Sequence, residues 1–205
     1  MKTLLHPTYF PSISHYAVIA NSKVLEFEIH DNFQKQTNRN RMYIYGANGI
    51  QLLTVPVKKN EVSPYKYQEV KIEYAFDWQK NHFKSVESAY RNSPFFEFYI
   101  DDILPLFQKK HLFLLDLNFE IFETINKCLH LKFDYSKSNE YVKNPEYIYD
   151  YRFLTIGKKN SILLEQYTQV FTEKHGFISD LSILDLLFNE GSYAHNYLKS
   201  QIVTI

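Results

Sequence analysis

The chain has one cysteine and five glycines among 205 residues, no net charge, and no long apolar run. Each scarcity removes a class of protein. The single Cys128 excludes an internal disulfide framework and a Cys-based zinc site, and it fits a reducing compartment. The few glycines build no phosphate-cradling loop. The Walker, Gly-x-Gly-x-x-Gly and Gly-x-Ser-x-Gly patterns are all missing, which disfavours P-loop ATPases, Rossmann dehydrogenases and serine hydrolases of the nucleophile-elbow kind. With 23 Lys and Arg against 23 Asp and Glu, no global field draws a nucleic-acid backbone or an anionic membrane, so any anion site is local. No run of ~18 apolar residues exists to cross a bilayer. The stretch Met1 to Tyr9 lacks a signal peptide's apolar segment and soon meets Pro7 and Pro11. The expected protein is therefore cytoplasmic, with no membrane insertion and no nucleic-acid partner.

The surplus in this chain is aromatic: 17 Tyr and 17 Phe. Tyr carries an apolar body with a polar tip, so these residues suit a wet cleft as well as a core. At 45% apolar and 22% charged, the composition is globular, and the length suits one domain with a sizeable core.

Patterning gives a strand over residues 2–6, a tight loop bounded by Pro7 and Pro11, and a helix from the N-cap Ser12 to Ala20. A second strand is expected over Lys23–Ile29. Arg41–Tyr45 and Gln51–Val57 read as a hairpin around Asn48-Gly49, and Glu69–Tyr74 as another strand. Helices are expected over about 77–92, 93–109, 114–131, 163–174, 180–189 and 191–199. Residues 132–160 read as a loop with one or two short strands. The fold class is α/β (mixed α+β): a small mixed sheet from a sheet-rich half, 1–75, covered by helices from a mainly helical half, 76–205. If the first two strands pair in parallel, His6 and His30-Asp31 both lie just past carboxyl ends, where open α/β sheets place ligands.

Three constellations carry chemistry. The densest runs from His30 to Arg41, with one His, one Asp, three cationic side chains and five amides in twelve residues. Arg39 and Arg41, two apart on an extended chain, share a face. With Lys35 and the amide of Asn38 they offer donors for carboxylate or phosphate oxygens. The same stretch also fits a solvated loop. The second is His6-Pro-Thr-Tyr9-Phe-Pro11, leading into a helix N-terminus whose free N–H groups seat anions. The third is the helix face Trp78, His82, Ser85, with Tyr90 beyond; Trp78 and His82 would floor a pocket or form the wet edge of a packing stripe. His15 is a weaker candidate. No metal-ligand spacing is present, and the sequence names no cofactor.

These runs, together with Thr54-Val-Pro56-Val, Ala89-Tyr-Arg-Asn-Ser-Pro94 and Leu181-Ser-Ile-Leu-Asp-Leu-Leu-Phe188, resemble the WbqC-like protein family, in its Bacteroidetes-type branch, over nearly the whole chain. Many relatives carry Gln where this chain has His6. The resemblance implies a role in bacterial surface-polysaccharide (O-antigen) biosynthesis. On that basis the expected activity is a transferase adding an acyl or aminoacyl group to a nucleotide-linked amino sugar, a small anionic substrate. His30, Asp31 and His82 would be catalytic; His6, Tyr9, Lys35, Asn38, Arg39, Arg41, Trp78 and Tyr90 would bind substrate. Two alternatives stand beside it: a non-enzymatic sugar- or partner-binding protein of polysaccharide assembly, and a nucleotidyltransferase. The oligomeric state is not read from the sequence.

Overall fold

The computed structural model describes residues 2–59, 64–146, 148–159 and 162–204. The chain opens with strand β1 (Lys2–Leu5), helix α1 (Ile13–Asn21) and strand β2 (Leu25–Phe27). β1 and β2 pair in parallel with Thr3 opposite Leu25 and Leu5 opposite Phe27. Ser12 caps α1, its side chain accepting from the His15 N–H. Every residue from Ile13 to Ala20 is buried. A helix buried on all sides belongs inside a core, and α1 lies between the sheet and the C-terminal helices.

Two short strands complete that sheet: β5 (Tyr135–Lys137) beside β2 and β6 (Ile148–Asp150) beside β1. The order is β5-β2-β1-β6, parallel throughout. It thus takes two strands from before residue 75 and two from the aperiodic stretch 132–160. The antiparallel part is a separate hairpin, β3 (Arg41–Gly46) and β4 (Gly49–Thr54). Gly49 sits at φ +94° as the chain reverses, a conformation that favours glycine.

Helices α2 (Trp78–Tyr90), α3 (Phe96–Ile103) and α4 (Leu114–Cys128) come next. α4 covers one face of the sheet, where Phe27 meets Phe119 and Phe122 edge-on. Near the end come α5 (Thr172–His175), α6 (Ile183–Glu190) and α7 (Ala194–Ser200), of which α6 and α7 pack on α1. The far end of the chain also reaches back to the first loop. Ile13 N–H donates to the Leu181 carbonyl (2.9 Å) and Ile183 N–H to that of Pro11 (2.8 Å); Ser182 Oγ donates to that of Phe10 (3.1 Å). Among the described residues no helix is long and apolar enough to cross a membrane.

Two expected elements differ. Glu69–Tyr74 is not a strand: a 3-10 turn (Tyr67–Glu69) leads into single bridges, Val57 to Ile72 and Lys71 to Phe113. Its alternation is real, since Val70 and Ile72 are buried, but the segment pairs with two different neighbours instead of one. Of the expected helix over 163–174, only Thr172–His175 is helical. The rest has no regular secondary structure, and Gln169 ties it down by bonding both the N–H and the carbonyl of Ile178.

Candidate functional site

All four parallel strands end at one edge, and the segments leaving them meet there. His6 comes just after β1; Glu28 and Asp31 come after β2; Ser138 comes after β5; Arg152 and Thr155 come after β6, which ends on Asp150. Beneath this edge lies a cleft of about 480 Å³. Its wall includes His6, Asp31, Arg39, Asp150, Arg152 and Thr155, with the rings of Tyr141 and Phe153 beside them. That volume and mixed lining fall in the ordinary range for small-molecule sites.

The turn after β2 is organised by Glu28, which is buried although it carries a carboxylate. Its Oε1 accepts from the N–H groups of His30 (2.6 Å) and Asp31 (3.1 Å) and from Ser138 Oγ (3.1 Å). That nest turns Asp31 toward the cleft. Asp31 Oδ2 accepts from Arg39 Nη2 at 2.7 Å and lies 3.0 Å from His6 Nε2, while Oδ1 accepts from the Asn32 N–H. Burial works to raise the Asp31 carboxyl, but the bond from His6 and the Arg39 charge prevail and hold it below the usual carboxylate value.

Arg39 is the largest fully buried side chain among the described residues. Its guanidinium lies 5.6 Å from the centre of the Tyr67 ring, whose hydroxyl donates to the Pro7 carbonyl (2.8 Å), and its Nε has no partner. His6 is equally enclosed. Burial, reinforced by the Arg39 charge and opposed by Asp31, lowers it to about 4, so it is neutral near pH 7. The neutral ring carries one proton, and its two nitrogens face different partners. Thr155 has one hydroxyl proton and gives it to the Arg152 carbonyl. His6 Nδ1 lies 3.2 Å from Thr155 Oγ1, while Nε2 lies 3.0 Å from the Asp31 carboxylate that Arg39 also bonds, so the ring proton belongs on Nε2, where it donates to Asp31 Oδ2 and a bare nitrogen would be repelled.

On the opposite wall Arg152 grips Asp150 with two bonds, Nε to Oδ1 at 2.9 Å and Nη2 to Oδ2 at 2.6 Å. It also donates to the carbonyls of Val142 and Lys143, so the loop after β5 is clipped over the cleft. Among the described residues no group of three His, Cys, Asp or Glu side chains could hold a metal.

The profile of the WbqC-like protein family matches residues 6–160, a span holding every cleft residue named above. The chain belongs to the WbqC-like protein family. A relative from Mycobacterium tuberculosis (strain ATCC 25618 / H37Rv), described as "Uncharacterized protein Rv1507c", is 28% identical over 228 residues, covering 96% of each chain. No solved structure matches significantly.

Within this WbqC-like chain the residues singled out from sequence fall into two groups. His6, Asp31 and Arg39 converge on the cleft. Asn38 braces it: its N–H donates to the Thr155 carbonyl at 2.7 Å, its own carbonyl accepts from Tyr9 N–H, and its side chain abuts Gly157. His30 stands just behind the wall, its Nε2 donating to the Ser138 carbonyl. Lys35 is exposed, next in the chain to Gln34 of the cleft wall. Arg41 begins β3, half-buried, with Nε unpartnered.

The second group lies in the interior. Tyr9 Oη meets His82 Nδ1 at 2.9 Å, and the Trp78 and His82 rings are 5.1 Å apart. Burial lowers His82 to about 4. Tyr90 is fully buried, its Oη accepting from the Tyr45 N–H. None of these four lines the cleft. His15 is buried too, its Nε2 without a partner.

Sequence reasoning misses Glu28, Asp150, Arg152 and Thr155. One signal for them is present. Asp150 and Arg152 stand two apart in sequence, the same spacing that marks Arg39 and Arg41, but they sit in the stretch with no periodicity.

Proposed function

We propose that this WbqC-like protein is a transferase of bacterial surface-polysaccharide biosynthesis, adding an acyl or aminoacyl group to the amine of a nucleotide-linked amino sugar. One observation carries the reading: a carboxylate, a neutral imidazole and a buried guanidinium converge on a cleft of about 480 Å³ at the carboxyl edge of a parallel sheet. Asp31 suits an ammonium group and can balance charge that develops on His6. The rings of Tyr141 and Phe153 suit the apolar face of a sugar. Arg39 and Arg152 are already paired with Asp31 and Asp150. The diphosphate is therefore assigned to the rim, to exposed Lys35, rather than to the floor. His30, set behind Asp31, serves as a positioning residue for the turn. Proton removal from the attacking amine by a placed base is worth roughly 10²–10⁴ in rate.

The test is direct. Incubate the full chain with an acyl thioester and a set of uridine- and thymidine-diphosphate amino sugars, and track the amide product by mass spectrometry. An amide whose formation falls at least about 100-fold in Asp31→Asn supports the reading. No amide with any donor, together with no thermal stabilisation by any nucleotide sugar, rejects it. Stabilisation without turnover would favour a non-catalytic sugar-binding protein, for which the ring-lined cleft is equally suited.

A further inference from the structure

We propose that Thr155 is a nucleophile, activated by His6 and Asp31, and that the acyl group rests on Thr155 as an ester before it reaches the amine. The proposal builds on the transferase reading above. Its basis is an alignment of three groups. Thr155 Oγ1 lies 3.2 Å from His6 Nδ1, and the opposite ring nitrogen, Nε2, lies 3.0 Å from Asp31 Oδ2. Hydroxyl, imidazole and carboxylate in that sequence, on the two different nitrogens of one ring, form the arrangement that activates alcohol nucleophiles on unrelated folds. The three come from separate places in the chain, after β6, β1 and β2, and all three line the one cleft. Thr155 is otherwise enclosed, so a substrate would reach Oγ1 from the cleft alone.

In the resting arrangement the Thr155 hydroxyl donates to the Arg152 carbonyl, and a hydroxyl bonded to a carbonyl three residues back is common in helical turns. That habit explains the hydroxyl proton but not why its oxygen faces an imidazole backed by a carboxylate. With Nε2–H donating to Asp31 Oδ2, Nδ1 can accept from Thr155 once the hydroxyl proton turns from the Arg152 carbonyl toward the ring, a rotation that needs no heavy-atom movement. An acyl thioester bound in the cleft would then react in balanced steps. Thr155 Oγ1 attacks the carbonyl carbon, its proton passes to His6 Nδ1, and the resulting imidazolium is held by Asp31. The C–S bond breaks, and the departing thiolate takes the proton from His6. The sugar amine then attacks the Thr155 ester, His6 accepts the amine proton and returns it to Thr155 Oγ1, and the amide leaves. No electrons are exchanged.

The experiment uses p-nitrophenyl acetate as acyl donor, with the full chain quenched in acid and mapped by mass spectrometry. The expected result is one acetyl group on the peptide containing Thr155, retained in Thr155→Ser, lost in the isosteric Thr155→Val, and formed at least about 100-fold more slowly in His6→Gln. No acetyl on that peptide, or equal labelling in Thr155→Val, overturns the proposal. Undiminished amide formation by Thr155→Val from the thioester also overturns it, while leaving the transferase reading in place. Acetyl on Thr155 without any amide product keeps Thr155 as nucleophile and rejects the transferase reading alone.

Discussion

Lowering the pH from 7 to 5 should remove about 3–4 kcal/mol of folding stability. Three histidines are enclosed without charge: burial lowers His6 to about 4, His15 to about 3 and His82 to about 4. In the unfolded chain each titrates near 6.5. Their stabilisation is therefore full above pH 6.5 and is lost as the pH falls toward the folded values. By pH 5 the unfolded imidazoles are mostly protonated and the folded ones mostly not, a difference of about 2 kcal/mol for each. Asp185 works the other way. Burial lifts its carboxyl to about 6, so it opposes folding at pH 7 and is relieved below pH 6, returning about 1 kcal/mol at pH 5. Asp180 and Glu190, also raised by burial, lean the same way as Asp185. Asp31, held below its ordinary value, loses its contribution only under about pH 4, outside this window. The measurement is urea unfolding at pH 7, 6 and 5 at fixed ionic strength, read by Trp78 fluorescence and circular dichroism. His15→Leu is the internal control, because His15 Nε2 has no partner to lose; its own drop between pH 7 and 5 should shrink by about 2 kcal/mol. Stability unchanged within about 1 kcal/mol over the range, in the parent chain, would refute the premise that these rings are buried neutral.

Asp31→Asn should lower stability at pH 7 by about 3–5 kcal/mol, because it leaves the buried Arg39 charge without its carboxylate; adding Arg39→Met should recover part of that loss in chemical unfolding. Gly157 has φ +72°, and a Cβ there would lie 2.7 Å from Asn38 Oδ1. Gly157→Ala should therefore cost about 1–3 kcal/mol and raise amide exchange around Thr155. Arg152→Gln should free the carbonyls of Val142 and Lys143, so that residues 139–146 exchange faster while the unfolding midpoint of the whole chain moves little; an unchanged loop would show that other contacts hold it down.

The start of the fold was legible because its signals are local and agree with one another. Pro7 and Pro11 bound a loop, Ser12 caps a helix, and alternation resumes by Leu25, giving the strand–helix–strand unit that the structure contains. From that unit alone His6 and Asp31 could be set at neighbouring strand ends, and Arg39 came with the dense polar stretch beyond. The other wall was not legible. β5 and β6 are three residues each, too short for a period, and they are strands only because β2 and β1 offer edges to pair with. Arg152 and Thr155 thus depend on contacts between residues about 150 apart in sequence, which no window along the chain reports. The Trp78–His82 face illustrates the reverse problem. A polar tip on an amphipathic helix looks the same in sequence whether it meets a ligand or, as His82 does, the hydroxyl of Tyr9.

The reach of residues 181–183 back to the first loop bears on how far the molecule can be cut. The family profile ends at residue 160, yet the carbonyls of Phe10 and Pro11, in the loop that begins with His6, are bonded by Ser182 and Ile183. A fragment trimmed to the matched span would lose those bonds and bare the buried flank of α1. The recognisable stretch is thus not a portable module. A segment beyond the end of the profile closes the ring on which the cleft is mounted.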